Sequence, residues 1–306
     1  MALEQFIKTV FLSLAVLLLN LPPTVAAQQD LPLQQAATLV GASYVHLITP
    51  GETLIELARH AGVGYGALLQ ANPDTDPWRP RAGTEILIPR TTVIPYESQS
   101  GITVNLAEKR LYLIQQEQHD SRIRVYPIGI GREGSDTPTG SYRVVNMISN
   151  PSWTPPASIR VERPELPAII PPGPDNPLGD YWIGLSEHQI GLHGTNRPYG
   201  IGRQVSSGCI RLYPEHIDAL FRHIHIGMPV TIIDSPLKLG FMDDLLYLEA
   251  HPDPDSKVPA PLTEIMRQRD LIAPGEQIDW HKVRLLLDQR TGVPHPISTS
   301  AAPARQ

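Results

Sequence analysis

The chain has 306 residues, a formal net charge of −6 and a single cysteine. That balance excludes the basic surface by which nucleic-acid-binding proteins neutralise phosphate, and one cysteine excludes an intramolecular disulfide. The 32 prolines weigh against long helices and point to strands, turns and extended loops, in a chain long enough for a sizeable core and two domains.

The first 27 residues, "MALEQFIKTVFLSLAVLLLNLPPTVAA", place Lys8 ahead of the apolar run Val10–Leu19, a Pro22–Pro23 break and the small-residue end Val25-Ala26-Ala27. A charged start, an apolar stretch short for a bilayer and an A-x-A-like site together predict a cleaved secretory signal. An uncleaved anchor is the alternative. No later stretch approaches the ~18 uninterrupted apolar residues of a membrane helix, so a soluble, exported mature chain is expected. Residues 28–42 read as a polar N-terminal segment.

Residues 43–90 form the next unit. "YVHLIT" (Tyr44–Thr49) alternates as a short strand does. Thr53 and Glu56 have capping-box spacing, and Leu54, Leu57, Ala58 and Ala61 follow at helical intervals before Gly62. A second helix is expected over Tyr65–Ala71, ending at Asn72-Pro73, and "TEILIP" closes the unit as a strand. The order is β-α-α-β. Through "PGETLIELARHAGV", "LLQANP" and "AGTEILIP" this segment resembles a LysM domain, which implies a grip on the glycan strands of peptidoglycan. A small packing domain without a ligand is the alternative.

Residues 91–100 read as a linker, and the pattern then becomes strand-rich. "GITVNLAEKRLYLIQQ" predicts a hairpin turning at Ala107–Lys109, continued by "RIRVYPIGIG" and by a strand after "TPTG". The proline-dense stretch Pro151–Pro177 is expected to hold neither a helix nor a central strand, and its Trp153, Ile169 and Ile170 favour an ordered loop or flap. "DYWIGL" and "IGLHG" follow as strands joined at Ser186–Gln189. Pro214 opens a helix whose Ile217, Leu220, Phe221 and Ile224 share a face, and "MPVTIID" ends this domain near Asp234. Residues 235–306 read as an extension with one strand ("LLYLEAH"), helical stretches at Leu262–Arg269 and Asp279–Gln289, and a polar tail. The fold class is α+β, mainly β.

The reactive residue types concentrate between Tyr181 and Tyr213. Cys209 stands in "VSSGCIRLYPEHI", outside any apolar run. A free thiol has a pKa of about 8.5 and needs a base to attack efficiently near neutral pH. His193, at the end of a strand, is the best-placed base, and an imidazolium–thiolate pair would store the charge for attack on an acyl carbon. The backbone N–H groups of Gly208 and Cys209 would hold the developing oxyanion. A buried structural thiol is the alternative. A metal hydrolase built on His188, His193, His223 and His225 has no H-E-x-x-H helix behind it, and no S-x-x-K or G-x-S-x-G pattern surrounds Ser206 or Ser207.

"LHGTNRPYGIGRQVSSGCIRL" resembles the signature of the YkuD-type L,D-transpeptidase catalytic domain, and "VYPIGIG", "TPTG", "NPSWTPP", "PPGPDNPLG" and "HGTN" extend the match over residues 101–234. With a signal and a LysM-like segment ahead of it, the chain is similar to the periplasmic subgroup of Gram-negative bacteria. The resemblance implies a β-rich catalytic domain using Cys209 as nucleophile and His193 as general base and later acid, with no cofactor or metal. Gly208, with Cys209, would supply oxyanion N–H groups, and Arg211 would meet a substrate carboxylate or order the loop. Thr195 and Ser206 would hold the loop, and with Gly194 and Ser207 they join Gly208 and Arg211 in the expected oxyanion and substrate-binding set. Ser207 stands where many members have a second histidine, so His193 must carry the proton transfers.

The implied donor is a peptidoglycan tetrapeptide stem that loses its terminal D-alanine. The acceptor would be the C-terminal lysine of an outer-membrane lipoprotein, with a second diaminopimelate (a 3→3 cross-link) or water as alternatives. A lone exported thiol also implies a thiol reductant as a partner. A non-catalytic wall-binding scaffold is the remaining rival.

Overall fold

The computed structural model describes residues 31–32, 38–117, 120–187, 190–243, 245–252, 262, 266 and 277–298. The signal segment, His188, most of Leu262–Arg269 and the polar tail lie outside them.

Strand β1 (Leu31–Pro32) belongs to the main sheet, and β2 (Leu39–Val40) leads into the β-α-α-β unit. That unit consists of β3 (Tyr44–Leu47), α1 (Leu54–Ala61), α2 (Tyr65–Ala71) and β4 (Glu85–Ile88), with β3 and β4 antiparallel. Thr53 caps α1, its hydroxyl accepting from the Glu56 N–H, and Gly62 ends it in the left-handed region. Leu54, Leu57, Ala58 and Ala61 turn inward onto Leu68, Ile86 and Ile88. β3 is more exposed than its alternation suggests: Tyr44, Val45 and Leu47 all face solvent, and only β4 pairs with it.

After β5 (Thr92–Val93) come β6 (Gly101–Asn105), β7 (Arg110–Glu117), β8 (Asp120–Pro127), β9 (Ile130–Gly131) and β10 (Gly140–Ser149). Then follow α3 (Ala157–Glu162), β11 (Tyr181–Leu185), β12 (Gly191–His193), β13 (Gln204–Ser206), β14 (Ile210–Arg211), α4 (Pro214–Phe221) and β15 (Pro229–Ile233). The main sheet runs β1-β8-β7-β6-β15-β10-β11-β12-β14. It bends at β10, which pairs with β15 through residues 140–143 and with β11 beyond, around a register shift between Val144 and Asn146. The curl wraps the apolar face of α4: Ile217 and Leu220 are wholly buried against Leu111, Ile183, Leu192 and Ile210.

Two expectations need correction. The proline-dense stretch does hold a helix, α3, formed in the window between Pro156 and Pro164, where no ring removes a backbone donor. Trp153 and Ile170 pair across the same segment as an isolated bridge. The extension after Asp234 opens with a strand that the patterning hides: β16 (Leu237–Met242) pairs with β17 (Leu245–Ala250), which pairs with β18 (His295–Pro296), and α5 (Trp280–Gln289) packs on them.

The reason is Lys238. Its polar side chain, set inside an apolar strand, belongs to a buried ionic network that ties the extension to the hairpin β6–β7 and to β5. Lys238 Nζ lies 2.6 Å from Glu108 and 3.0 Å from Glu249, and Arg110 lies 2.9 Å from Glu249. The Val93 N–H and the Tyr112 hydroxyl donate to Glu249 and Glu108 at 2.6 and 2.8 Å. Two carboxylates face two cations, so the charges balance with His251 neutral. Glu108, Glu249 and His251 come within 4.8 Å of one another, a grouping that would suit a metal, but Lys238 and Arg110 already meet their charge.

Candidate active site

The parallel pair β12–β14 sets the site. Leu192 lies opposite Ile210 and His193 opposite Arg211. Side chains alternate along each strand, so Leu192 and Ile210 enter the core while Gly191, His193, Cys209 and Arg211 share the outer face. The antiparallel neighbour β11 adds Trp182 opposite His193 on that same face. Thus the topology alone brings the base, the thiol and a guanidinium to one patch.

Each group is held. The His193 Nδ1 lies 2.7 Å from the Gly194 carbonyl, which only accepts, so Nδ1 carries the proton and Nε2 keeps its lone pair. The Trp182 indole stacks on the imidazole at 6.0 Å and 24°, and Trp182 Nε1 donates to Asn146. Gly191 makes room for that indole: a Cβ there would lie 2.7 Å from the ring.

Cys209 is half-buried and free. Its loop is fixed from both sides. Ser206 is buried and its hydroxyl donates to the Cys209 carbonyl, while Ser207 is exposed. Gly208 has φ +99°, a conformation that favours glycine, and its carbonyl accepts from the buried Thr137 hydroxyl at 2.9 Å. With that carbonyl pinned, the planar trans peptide aims the Cys209 N–H the opposite way. Thr195 Oγ1 accepts from the Arg197 N–H, tying down the chain just after His193.

Burial pushes the His193 imidazole down to about 3, with Arg211 adding to the effect and the Gly194 hydrogen bond opposing it. Burial also pushes the Cys209 thiol up, against the Gly191 N–H and Arg211. Both shifts run against charge in the free site, because Trp182 and the sheet wall it off from water. No hydrogen bond joins the sulfur and the imidazole among the described residues, and such contacts commonly tighten only around substrate. The Arg211 Nε is buried without a hydrogen-bond partner. His223 and His225 each turn Nδ1 to a backbone carbonyl, away from this face.

His216 is another buried imidazole, wedged edge-on against Tyr126 and Tyr213 and pushed by burial down to about 4. Both histidines titrate near 6.5 when unfolded, so the unfolded chain binds more protons as pH falls. Their contribution is fully present above about pH 6.5 and is lost toward pH 4, at a slope approaching 3 kcal/mol per pH unit for two protons. Urea unfolding at a series of pH values should show this loss, and a flat response across the window would contradict it.

A family model described as the YkuD L,D-transpeptidase catalytic domain matches residues 99–232. The probable L,D-transpeptidase YcfS of Escherichia coli (strain K12) is 38% identical over 304 residues, covering 94% of this chain and 92% of its own length. The chain belongs to the YkuD L,D-transpeptidase family. Probable L,D-transpeptidase ErfK/SrfK of Escherichia coli (strain K12) is 35% identical over 284 residues, 87% of this chain and 90% of its own. Among solved structures, L,D-transpeptidase 3 from Mycobacterium tuberculosis is 16% identical with a TM-score of 0.33, covering 50% of this chain and 76% of that one.

This L,D-transpeptidase is thus a transferase with a cell-wall function. The family signature gathers His193, Gly194, Thr195, Ser206, Ser207, Gly208, Cys209 and Arg211 onto β12, the end of β13, β14 and the loops between them. Sequence reasoning missed Trp182, Asn146 and Thr137. Period-two counting back from His193 through the β11–β12 hairpin would have found Trp182, whereas nothing local marks Thr137, whose partner lies 71 residues away.

Proposed function

We propose that the chain is a cysteine-dependent L,D-transpeptidase that opens a peptidoglycan tetrapeptide stem at diaminopimelate and passes the acyl group to an amine. The observation that carries this reading is the shared outer face of β12–β14, with Cys209, His193 and Arg211 on it. As Sγ attacks the carbonyl carbon of the L-centre, His193 Nε2 takes the thiol proton. The Cys209 N–H, aimed through Thr137 and Gly208, donates to the oxyanion, with the Gly208 N–H beside it. His193 then gives its proton to the departing D-alanine amine, leaving a thioester. The acceptor amine reverses the sequence: it attacks the thioester, loses a proton to His193, and the thiol is restored. The unpartnered Arg211 Nε suits a stem carboxylate.

The acceptor we propose is the C-terminal lysine amine of an outer-membrane lipoprotein, supported by the likeness of "PPGPDNPLG" and "VSSGCIRL" to lipoprotein-attaching members. A 3→3 link to a second diaminopimelate is the second reading. The β-α-α-β unit is proposed to be a LysM module holding the glycan. Trp78 is 61% exposed and is presented on a turn where Asp76 accepts from the Trp78 and Arg79 N–H groups, a flat ring suited to a sugar face. The compartment proposed is the periplasm, with a thiol reductant keeping Cys209 active. The reading is tested by incubating reduced protein with disaccharide-tetrapeptide. Mass spectrometry should find free D-alanine and an acyl adduct on Cys209, and adding a lysine-terminated peptide or a second muropeptide selects the acceptor. Neither product from folded protein would sink the proposal in favour of a wall-binding scaffold.

A further inference from the structure

The β-α-α-β unit touches the catalytic domain on both sides of the thiol. Before Cys209, the turn between α1 and α2 meets the loop that leaves His193. The Tyr65 N–H donates to the Ile201 carbonyl at 3.1 Å, and the Arg203 guanidinium lies 5.7 Å from the Tyr65 ring centre. The backbones approach through glycines: a Cβ on Gly66 would lie 2.5 Å from the Gly202 carbonyl oxygen, and one on Gly202, at φ +85°, would lie 2.4 Å from the Tyr65 nitrogen. After Cys209, Arg59 at the end of α1 grips Glu215 in the first turn of α4 through both guanidinium nitrogens, the second at 2.9 Å. Arg59 also stacks over Tyr213 at 4.6 Å, and the buried Tyr213 hydroxyl donates to the Val63 carbonyl at 3.0 Å.

These contacts lead inward. The Gly202 N–H donates to the Ile128 carbonyl at 2.9 Å, and the next residue, Gly129, exchanges two 2.8 Å hydrogen bonds with Arg211. Arg211 shares β14 with the residue after the thiol. A displacement of the unit therefore reaches the strand that carries the chemistry through backbone hydrogen bonds alone, with no flexible side chain between.

From this we infer that the N-terminal unit is a clamp on the active-site loop, with Arg59 and Gly66 as positioning residues that set the height of the Cys209 strand against His193. The chain from Arg197 to Arg203 carries a single 3-10 turn at Pro198–Gly200 and takes its shape between the unit on one side and residues 128–130 on the other. A glycan held by the unit would consequently stand in fixed relation to the thiol, and the unit would serve the chemistry even with no glycan bound. The inference rests on the cysteine acyl-transfer reading only for its turnover arm.

Two variants of the full chain test it. Gly66→Ala introduces the better helix former into α2 and so strains only the contact with Gly202. It is expected to keep the thermal unfolding midpoint, lower kcat roughly tenfold or more with KM for the stem little changed, and move the pH profile of Cys209 alkylation toward that of an ordinary thiol. Arg59→Glu should do the same, and Arg59→Glu combined with Glu215→Arg should restore most of both signals. If Gly66→Ala folds with wild-type kcat and an unmoved alkylation profile, the clamp is refuted, whatever Arg59→Glu does to folding. Alkylation needs no peptidoglycan, so a wild-type protein with no transpeptidase turnover but a shifting profile in Gly66→Ala would fail the functional reading and keep the clamp.

Discussion

Replacing Cys209 by alanine is expected to abolish acyl transfer, and His193→Ala to lower kcat by roughly a thousandfold or more, since nucleophile and base act as one unit. Both variants should fold, because Cys209 is only half-buried and the buried His193 lies outside the apolar cluster around α4. The more discriminating result concerns the free enzyme. Alkylation of Cys209 by iodoacetamide should rise with pH to a midpoint above the ~8.5 of an unperturbed thiol. Burial raises the thiol, and the His193 imidazole, pushed down to about 3, offers it no positive partner at rest. A midpoint below neutrality would mean that a preformed ion pair exists and that the sheet face is wetter than described. Activity should likewise climb through neutral pH, the base being neutral there and the proton moving only as substrate excludes water.

The second large effect lies far from the thiol. Glu249→Gln removes one carboxylate from a buried set of two acids and two bases, leaving positive charge without compensation, and should cost about 3–5 kcal/mol of stability. Burial alone would raise the Glu249 carboxyl; Lys238, His251 and Arg110 outweigh it and hold the group well below the usual carboxylate range. The sign follows: its contribution is present above about pH 4.5 and disappears as pH falls through the depressed native value. Pairing Glu249→Gln with Lys238→Met should recover part of the loss, and a double-mutant cycle in urea measures how much. Additive losses would show that the two groups do not interact. Limited proteolysis of the single variant should release the extension after Asp234 before the catalytic sheet is cut.

Most of the individual elements were legible in the sequence because they follow local rules. The capped helix α1, the Pro214 helix and the alternating hairpin strands are written within a few residues each, and the His193–Cys209 signature is long enough to carry its chemistry with it. What was illegible is non-local. β16 hides because Lys238 and Gly240 break its apolar pattern, and both make sense only against partners far along the chain: Glu108 for the first, Thr38 and Val93 for the second. The ion pair of Arg59 with Glu215 spans 156 residues, and neither residue stands out locally. Thr137, which holds the Gly208 carbonyl from 71 residues away, was illegible for the same reason.

The contacts around β16 also bear on how the chain acquires its structure. Thr38 donates to and accepts from Phe241, and Ile94 donates to the Thr38 carbonyl, so an early-made segment waits for one made some two hundred residues later. Pairing of such separation carries a large loop-closure cost and forms late. During synthesis the hairpin β6–β7 would carry Glu108 and Arg110 without Lys238, Glu249 or His251. A chain interrupted before Lys238 should thus be a loose, protease-sensitive intermediate, and the final ordering step should be gated by arrival of the last strands rather than by assembly of the catalytic sheet.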